Sequence, residues 1–534
     1  MSFSDLIDRL VSNTVNHSLG MFAPELILCA SVILLLLARL IDLDRKLPSY
    51  WIAMTGVVVA FAVALMNFWN SPGVGQTELF TGLLVYDQFT LFFRLFLLLF
   101  LVLVISLTVL SGVPDNEDGP DFYSLLIGST IGMMLMVEAN HLLILFLGVE
   151  MTSVPSYAMV GFLKGRRKSS EASFKYVVYG AGAAGVMLYG LSLLGGMLGT
   201  ANLPEMAAKF ALVIDSDATM GTPELRTLAL GIMMVVVGLA FKLSLVPFHF
   251  WCPDAFEGAA AEVAGFLSIA SKAAAFALLV RFCLVFVGTE TSALGPLTLA
   301  LGIGLGIIAV VTTTFGNLAA YSQTNVKRLL AYSTIAHAGY MLMAVSAMLV
   351  VLYGNQPNAT YEATRCIGGL LFYLVVYLFM NLGAFAVVAL IRNQIFSEEI
   401  EDYRGLAWEA PALCVCMLIC FFSLVGLPPL GGFFGKWYIF ASLYQATSVH
   451  WSMWVLLVVG GLNTVFSLFY YLRVLKAMFI ETRPAQARSV KMPSFSSPVF
   501  YVSMITAPVV LLGTIGWLMD GLSNKVREVA GVLF

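Results

Sequence analysis

The chain has 534 residues, 60% of them hydrophobic and only 11% charged, with a formal net charge of −3 and a mean hydropathy of +0.92. Soluble domains carry roughly a quarter of their residues as Asp, Glu, Lys or Arg, so this composition excludes a soluble enzyme and predicts an integral membrane protein. Long uninterrupted apolar runs favour helices over a β-barrel, and no basic tract with interleaved aromatics points to nucleic acid as a partner.

In windows of about 19 residues, an all-α fold with fourteen spans is predicted. They lie near 21–40, 51–70, 83–111, 122–138, 141–162, 173–199, 228–248, 259–286, 294–319, 328–352, 367–391, 410–433, 455–479 and 497–519. The first run is full length with no small-residue cleavage pattern after it, and reads as a span rather than a leader. The third, sixth and eighth are longer than a bilayer needs, which implies tilt or extension beyond the lipid.

Loop charges set the orientation. Basic residues cluster at Arg39, Arg45 and Lys46; at Lys164, Arg166, Arg167 and Lys168; at Lys327 and Arg328; at Arg392 and Arg404; and from Arg473 to Lys491. With fourteen spans all of these fall on one side, opposite the scattered Arg9, Lys209, Arg226, Arg365, Lys525 and Arg527. The Lys/Arg bias of short loops marks the cytoplasmic side, so both termini are expected on the periplasmic side.

Two spans are interrupted. Pro247 follows Lys242 by five residues, and LPPLGG at 427–432 ends four residues before Lys436. Proline removes a backbone donor and clashes with the preceding turn, and a broken helix at membrane depth survives only where protein or a wet cavity satisfies the freed groups. The seventh and twelfth spans are five apart. Spans 4–8 and 9–13 therefore read as two five-helix repeats, the odd length inverting the second. The chain then divides into 1–120 with three spans, 121–287 and 288–480 with one repeat each, and 481–534 with a loop and the last span.

The ionisable residues inside the spans carry the functional reading. Lys242, Lys272 and Lys436 sit in apolar stretches, where a charged side chain costs about 2.5–3.5 kcal/mol on insertion scales. A lysine at depth gains or loses its proton easily, because desolvation disfavours its charge and a nearby carboxylate favours it. All three are candidate proton carriers; snorkelling to an interface is the plainer explanation of each. Glu150, mid-span in HLLILFLGVEMTSVPSYAMVGF, is the candidate counter-charge to Lys242, or else a carboxylate bonded to backbone or Ser153. A pair that opens and closes is a valve for protons. His249 and His337 titrate near neutrality and are candidate relays, though His249 has the alternative of capping the helix break. Tyr332, Ser333, Thr334 and Asn381 either line a hydrated path or glue helices together.

Other polar features have blander readings. His141 looks interfacial, and Glu171 and Lys175 are spaced for a local ion pair. Asp254, Glu257 and Glu262 either collect protons at the mouth of the seventh span or lie in a solvated loop. The acidic strip EEIEDYRGLAWEAP reads as a loop docked on its neighbours. The seven cysteines read as small apolar filler. GAGAAG at 180–185 matches a dinucleotide fingerprint but lies inside an apolar span with no strand before it, so helix packing explains it better.

FKLSLVPFHFWCPDAFEGA followed by LSIASKAAAF, together with GLPPLGGFFGKWYIF, resembles the antiporter-like subunits of NADH–quinone oxidoreductase (respiratory complex I), over about residues 80–480. EEIEDYRGLAWEAP and YYLRVLKAMF are similar to the subunit N branch. Lysine at the twelfth-span site separates the chain from the subunit M and Mrp D-type branches, which place glutamate there. Only a short tail after the last span separates it from L-like chains. GAAAEVAGFL departs from the family, with alanine and Glu262 where GAP-type residues are expected.

The resemblance implies fourteen helices in two inverted repeats. It also implies proton translocation through Glu150, Lys242, Lys272 and Lys436, driven by electron transfer elsewhere. It implies no cofactor in this chain. FMN, iron–sulfur clusters, NADH and quinone would be handled by partner subunits, with neighbouring antiporter-like and small membrane subunits alongside in a bacterial inner membrane. The alternatives are an Mrp-type cation/proton antiporter subunit, a purely structural membrane-arm subunit, and a ferredoxin- or deazaflavin-linked relative of complex I.

Overall fold

The computed structural model describes residues 11–534 except 72, 74, 217–222, 290, 291, 293, 486, 487, 491, 494 and 495. Arg9 and Lys491 of the charge pattern lie outside the described residues. After a π-helical segment (Asn13–Ser18) and a single helical turn (Leu19–Met21), the longer helices follow in chain order as α1 (Ala23–Leu40) and α2 (Ser49–Asn70). A small hairpin of β1 (Thr77–Leu79) and β2 (Leu84–Tyr86) follows, then α3 (Gln88–Ser111), α4 (Val113–Glu138), α5 (Leu142–Val160) and α6 (Arg167–Leu198). Next come α7 (Leu203–Ser216), α8 (Pro223–Leu243), α9 (Trp251–Gly258), α10 (Ala261–Leu284), α11 (Gly295–Ala320), α12 (Val326–Tyr353) and α13 (Ala359–Ile395). The chain ends with α14 (Pro411–Val425), α15 (Gly431–Ala446), α16 (Ser452–Phe479), α17 (Ser497–Thr514) and α18 (Gly516–Gly531).

Thirteen of these helices are long and apolar enough to cross a bilayer. The interrupted α14–α15 accounts for the remaining predicted span. The 3₁₀ segment before α14 turns away from it by 118°. The chain is therefore an all-α membrane protein with both expected breaks, one after α8 and one between α14 and α15.

Local chemistry sets the helix ends. Asp87 caps α3 by accepting from the Thr90 N–H at 2.8 Å, and Asn325 caps α12 through the Lys327 and Arg328 N–H groups, each satisfying donors that a helix start leaves free. Within α4, Asp118 departs from helical geometry (φ −166°) just before Pro120. Helices α4 and α5 approach so closely that a Cβ on Gly132 would stand 2.6 Å from the Thr152 nitrogen. The GAGAAG motif is only partly a packing motif: a Cβ at Gly180 would strike the Tyr157 hydroxyl, while Gly182 and Gly185 face open space.

Burial sorts the helices into core and rim. The apolar window of α10 is wholly buried, and those of α12 and α13 are 94% and 89% buried, against 22% for α2 and 28% for α6. Lys272 is on the most buried of these helices, so it does not reach an interface by snorkelling. The short tail expected after the last span is instead the helix α18, which lies on α13: a Cβ on Gly368 would be 3.1 Å from Arg527 Cγ. Its register is amphipathic rather than apolar, which is why a hydropathy window passes over it.

The basic clusters meet at one end of the bundle. Asp118 pairs with Arg39 at 3.3 Å and Lys164 at 3.8 Å. Glu398 pairs with Lys327 at 3.0 Å and Arg392 at 3.9 Å, and Glu409 accepts from the Val490 N–H at 2.7 Å, so the acidic strip is docked as expected. All seven cysteines are free and six are buried.

Candidate functional site

The site grows out of the two helix breaks. Helix α8 ends at Leu243 and Ser244 turns into left-handed geometry (φ +58°). The last carbonyls of α8 then need donors. Ala240 O takes the Leu245 N–H at 2.8 Å, and Phe241 O takes the Ser244 N–H at 3.0 Å and the Trp251 indole N–H at 2.9 Å. Leu243 O takes the ammonium of Lys272, reaching across from α10, at 2.7 Å.

The second break repeats this chemistry with a different donor. Gly426 (φ +89°) ends α14, and the Lys436 ammonium, entering from α15, donates to Leu424 O and Val425 O at 3.0 Å each. A Cβ at Gly426 would stand 3.1 Å from Lys436 Cδ, so glycine leaves the lysine its path. A helix C-terminus carries a partial negative charge that favours a cation. Two buried lysines are thus held by backbone carbonyls in place of carboxylates, and Lys436 also sits 4.4 Å from the centroid of the Tyr340 ring, a cation–π contact.

Lys242 differs. It is 1% exposed and donates to Ser153 Oγ at 3.0 Å. Ser153 in turn donates to Val149 O at 2.7 Å. Glu150, half-buried one turn before Ser153 on α5, is near enough to interact electrostatically with Lys242. Among the described residues no ion pair within 4.0 Å joins the two.

Between the lysines runs a chain of hydroxyls, one amide and one imidazole. Ser268 lies one turn before Lys272 on the same face of α10 and accepts from Asn381 Nδ2 at 2.8 Å. Asn381 Nδ2 also reaches Tyr377 Oη at 3.0 Å, and Tyr377 donates to Thr334 at 3.2 Å. His337, one turn on from Thr334, bonds Tyr373 through Nδ1 at 2.5 Å and Tyr471 through Nε2 at 3.4 Å. Tyr471 also bonds Ser333, and Tyr340 beside His337 leads to Lys436. Every member of this chain is essentially buried.

Of the predicted residues, Lys272, His337 and Lys436 lie along this chain, and Ser333, Thr334 and Asn381 join it; Lys242, next to the Leu243 carbonyl that holds Lys272, bonds Ser153 instead, with Glu150 beside it. His249 does not join the chain. It is packed between Phe250 and Phe315, and among the described residues its Nδ1 has no hydrogen-bond partner. Tyr332 packs on Phe315 away from the chain. Sequence reasoning missed Tyr373 and Tyr377, yet their signal was present: 373, 377 and 381 recur every four residues on one face of α13.

At the end where the basic clusters gather, the groups taken as a mouth or a local pair form one network. Arg328 pairs with Asp254 at 2.6 Å and Glu257 at 2.9 Å; Lys168 holds Glu257 at 3.0 Å, and Lys175 holds Asp254 and Glu171 at 2.8 Å each. These groups line a cavity of about 200 Å³. Burial works against the charge of Asp254 and Glu257, which lie outside the thirteen spans, but hydrogen bonds from Lys175, Lys168 and Arg328 outweigh it and hold both carboxyls below the usual range. Glu262 does not belong to this network. It is buried in the first turn of α10.

Comparison with known proteins gives the fold its relatives. A transmembrane family described as NADH:quinone oxidoreductase/Mrp antiporter matches residues 139–467. The chain is 37% identical to NADH-quinone oxidoreductase subunit N of Anaeromyxobacter sp. (strain Fw109-5), over 90% of each chain. It is 36% identical to NADH-quinone oxidoreductase subunit N 1 of Koribacter versatilis (strain Ellin345), over 95% of this chain and 96% of that one. Among solved structures, a chain of respiratory complex I from Thermus thermophilus with bound aureothin is similar at 29% identity and a TM-score of 0.71, covering 93% of this chain and 98% of that one. A chain of the Mrp complex from Dietzia sp. DQ12-45-1b shares the fold, with a TM-score of 0.75 at 17% identity, over 96% of this chain and 99% of that one.

Proposed function

The chain belongs to the NADH:quinone oxidoreductase/Mrp antiporter family of transmembrane subunits, and from that premise we propose that it is the subunit N of a proton-translocating NADH–quinone oxidoreductase. It works in the membrane arm beside other membrane subunits. Electron transfer from NADH to quinone, with its flavin and iron–sulfur clusters, takes place in partner subunits, and this chain carries protons.

The observation that carries this reading is the buried line from Lys242 through Lys272 and His337 to Lys436. Each lysine on it is held by groups that accept a hydrogen bond without fixing the charge as a close carboxylate would. A proton arriving at Lys242 raises the local positive charge and favours proton loss from the next amine, since like charges disfavour one another. One pK unit of such coupling is worth about 1.4 kcal/mol. Glu150 acts as the counter-charge that sets how readily Lys242 gives up its proton. In this reading 121–287 and 288–480 are two inverted units, each with one broken helix. The membrane is the bacterial inner membrane, with the basic clusters cytoplasmic and both termini periplasmic.

The test is proton uptake by reconstituted vesicles of the intact complex during NADH oxidation. Lys242→Ala and Glu150→Ala are each expected to assemble and to pump poorly. Wild-type pumping by both would remove the two residues from the path.

A further inference from the structure

A second ionisable cluster lies outside the lysine line, where α1, α3 and α4 meet. Arg94 on α3 places its Nε 2.7 Å from Glu25 Oε1 and 2.8 Å from Glu138 Oε1, and its Nη1 donates to Met21 O at 2.7 Å. Arg94 is 1% exposed and both glutamates are 0% exposed. Among the described residues Glu25 Oε2, Glu138 Oε2 and Arg94 Nη2 have no hydrogen-bond partner. One N–H cannot align with two carboxylates, and a single guanidinium cannot neutralise both. Among the described residues the other titratable groups facing the cluster are Tyr86 on β2, whose ring centroid is 5.4 Å from the guanidinium carbon, and Cys29, one turn beyond Glu25. Neither supplies positive charge. A buried net charge of −1 is strongly disfavoured, and a carboxyl proton removes it while giving an unpartnered oxygen a bond to make.

We propose that Glu25 and Glu138 form a proton-binding site that holds one exchangeable proton between them, with Arg94 as the fixed cation. The site is at the end of the bundle opposite the basic clusters, since α4 runs from Asp118 at that end to Glu138 at the other. It touches the lysine-bearing core: Val137 O, next to Glu138, accepts from Arg281 Nε at 2.7 Å, and Arg281 is on α10 with Lys272. This site stands or falls independently of the lysine line.

Infrared spectroscopy of the intact complex tests it. The wild type is expected to show, at neutral pH, the carbonyl stretch of a buried protonated glutamic acid that moves down in D2O. Glu25→Gln and Glu138→Gln should each abolish that same band, because one carboxylate facing Arg94 is already balanced. Absence of such a band in the wild type, or its loss in only one variant or in neither, overturns the proposal. If a Gln variant does not assemble, Glu25→Asp and Glu138→Asp read the same band. It shifts in both if the proton is shared, and a shift in one alone or in neither overturns the site.

Discussion

Lys242 Nζ donates to Ser153 Oγ at 3.0 Å, and Ser153 stands one turn beyond Glu150 on α5. A hydroxyl thus takes the lysine's hydrogen bond where the sequence suggests a direct Glu–Lys pair. It lets the lysine be neutral or charged with its acceptor in place, because a serine both donates and accepts. Ser153→Ala removes that acceptor. The loss of one buried hydrogen bond, about 0.5–1.5 kcal/mol, is expected to slow NADH-driven proton uptake roughly 2- to 10-fold, with Ser153→Thr close to wild type. Vesicle pumping assays on the three proteins check this.

Lys436 separates structure from proton transfer. Arginine there keeps a cation on the Leu424 and Val425 carbonyls but stays charged at any working pH. Lys436→Arg is expected to assemble with a near-normal melting temperature and to pump poorly. Lys436→Met leaves two buried carbonyls unmet, a loss of about 1–3 kcal/mol, and should melt earlier as well. Thermal melts and pumping of the two variants, side by side, distinguish the capping role from the transfer role.

Tyr377 joins Asn381 to Thr334 in the middle of the polar chain. Tyr377→Phe keeps the ring and deletes the hydroxyl. Pumping is expected to fall about tenfold, a barrier rise of about 1.4 kcal/mol, with little change in melting temperature. His249→Phe, by contrast, should pump normally, since His249 packs against aromatics off the line.

The Arg328 network predicts a pH-dependent contribution to stability. Asp254 and Glu257 are held below their ordinary range, so the stability they confer is full above the ordinary carboxylate pKa of about 4 and is lost as pH falls below it. Arg328→Gln is expected to lower the melting temperature slightly at neutral pH, each partly exposed pair being worth on the order of 0.5 kcal/mol. The deficit should vanish in acid and shrink in high salt. Melting curves across pH show whether it does.

How much of this the sequence disclosed follows from what each signal measures. Hydropathy located the crossing helices because each buries or exposes a whole apolar cylinder to lipid, and Pro247 and 427–432 located both breaks. It could not see α18, whose apolar face is narrow, or α15 as a separate half of the broken span. Lys242, Lys272 and Lys436 stood out because charge inside an apolar run is rare. Their partners did not, since a backbone carbonyl leaves no mark in a sequence. Tyr373, Tyr377 and Ser268 were hidden among tyrosines and serines that occur in any span, and only the four-residue recurrence with Asn381 would have picked the first two out. Glu25, Arg94 and Glu138 were each visible as isolated charges, but nothing in their spacing says that three different helices bring them together.

The most direct test of the central claim is NADH-driven proton uptake by vesicles containing the assembled complex with Lys242→Ala, measured against wild type at matched protein content. A proton line through Lys242 predicts a fall of about tenfold or more, a barrier rise of at least about 1.4 kcal/mol. Uptake at the wild-type rate, in a variant shown to be assembled, would contradict it.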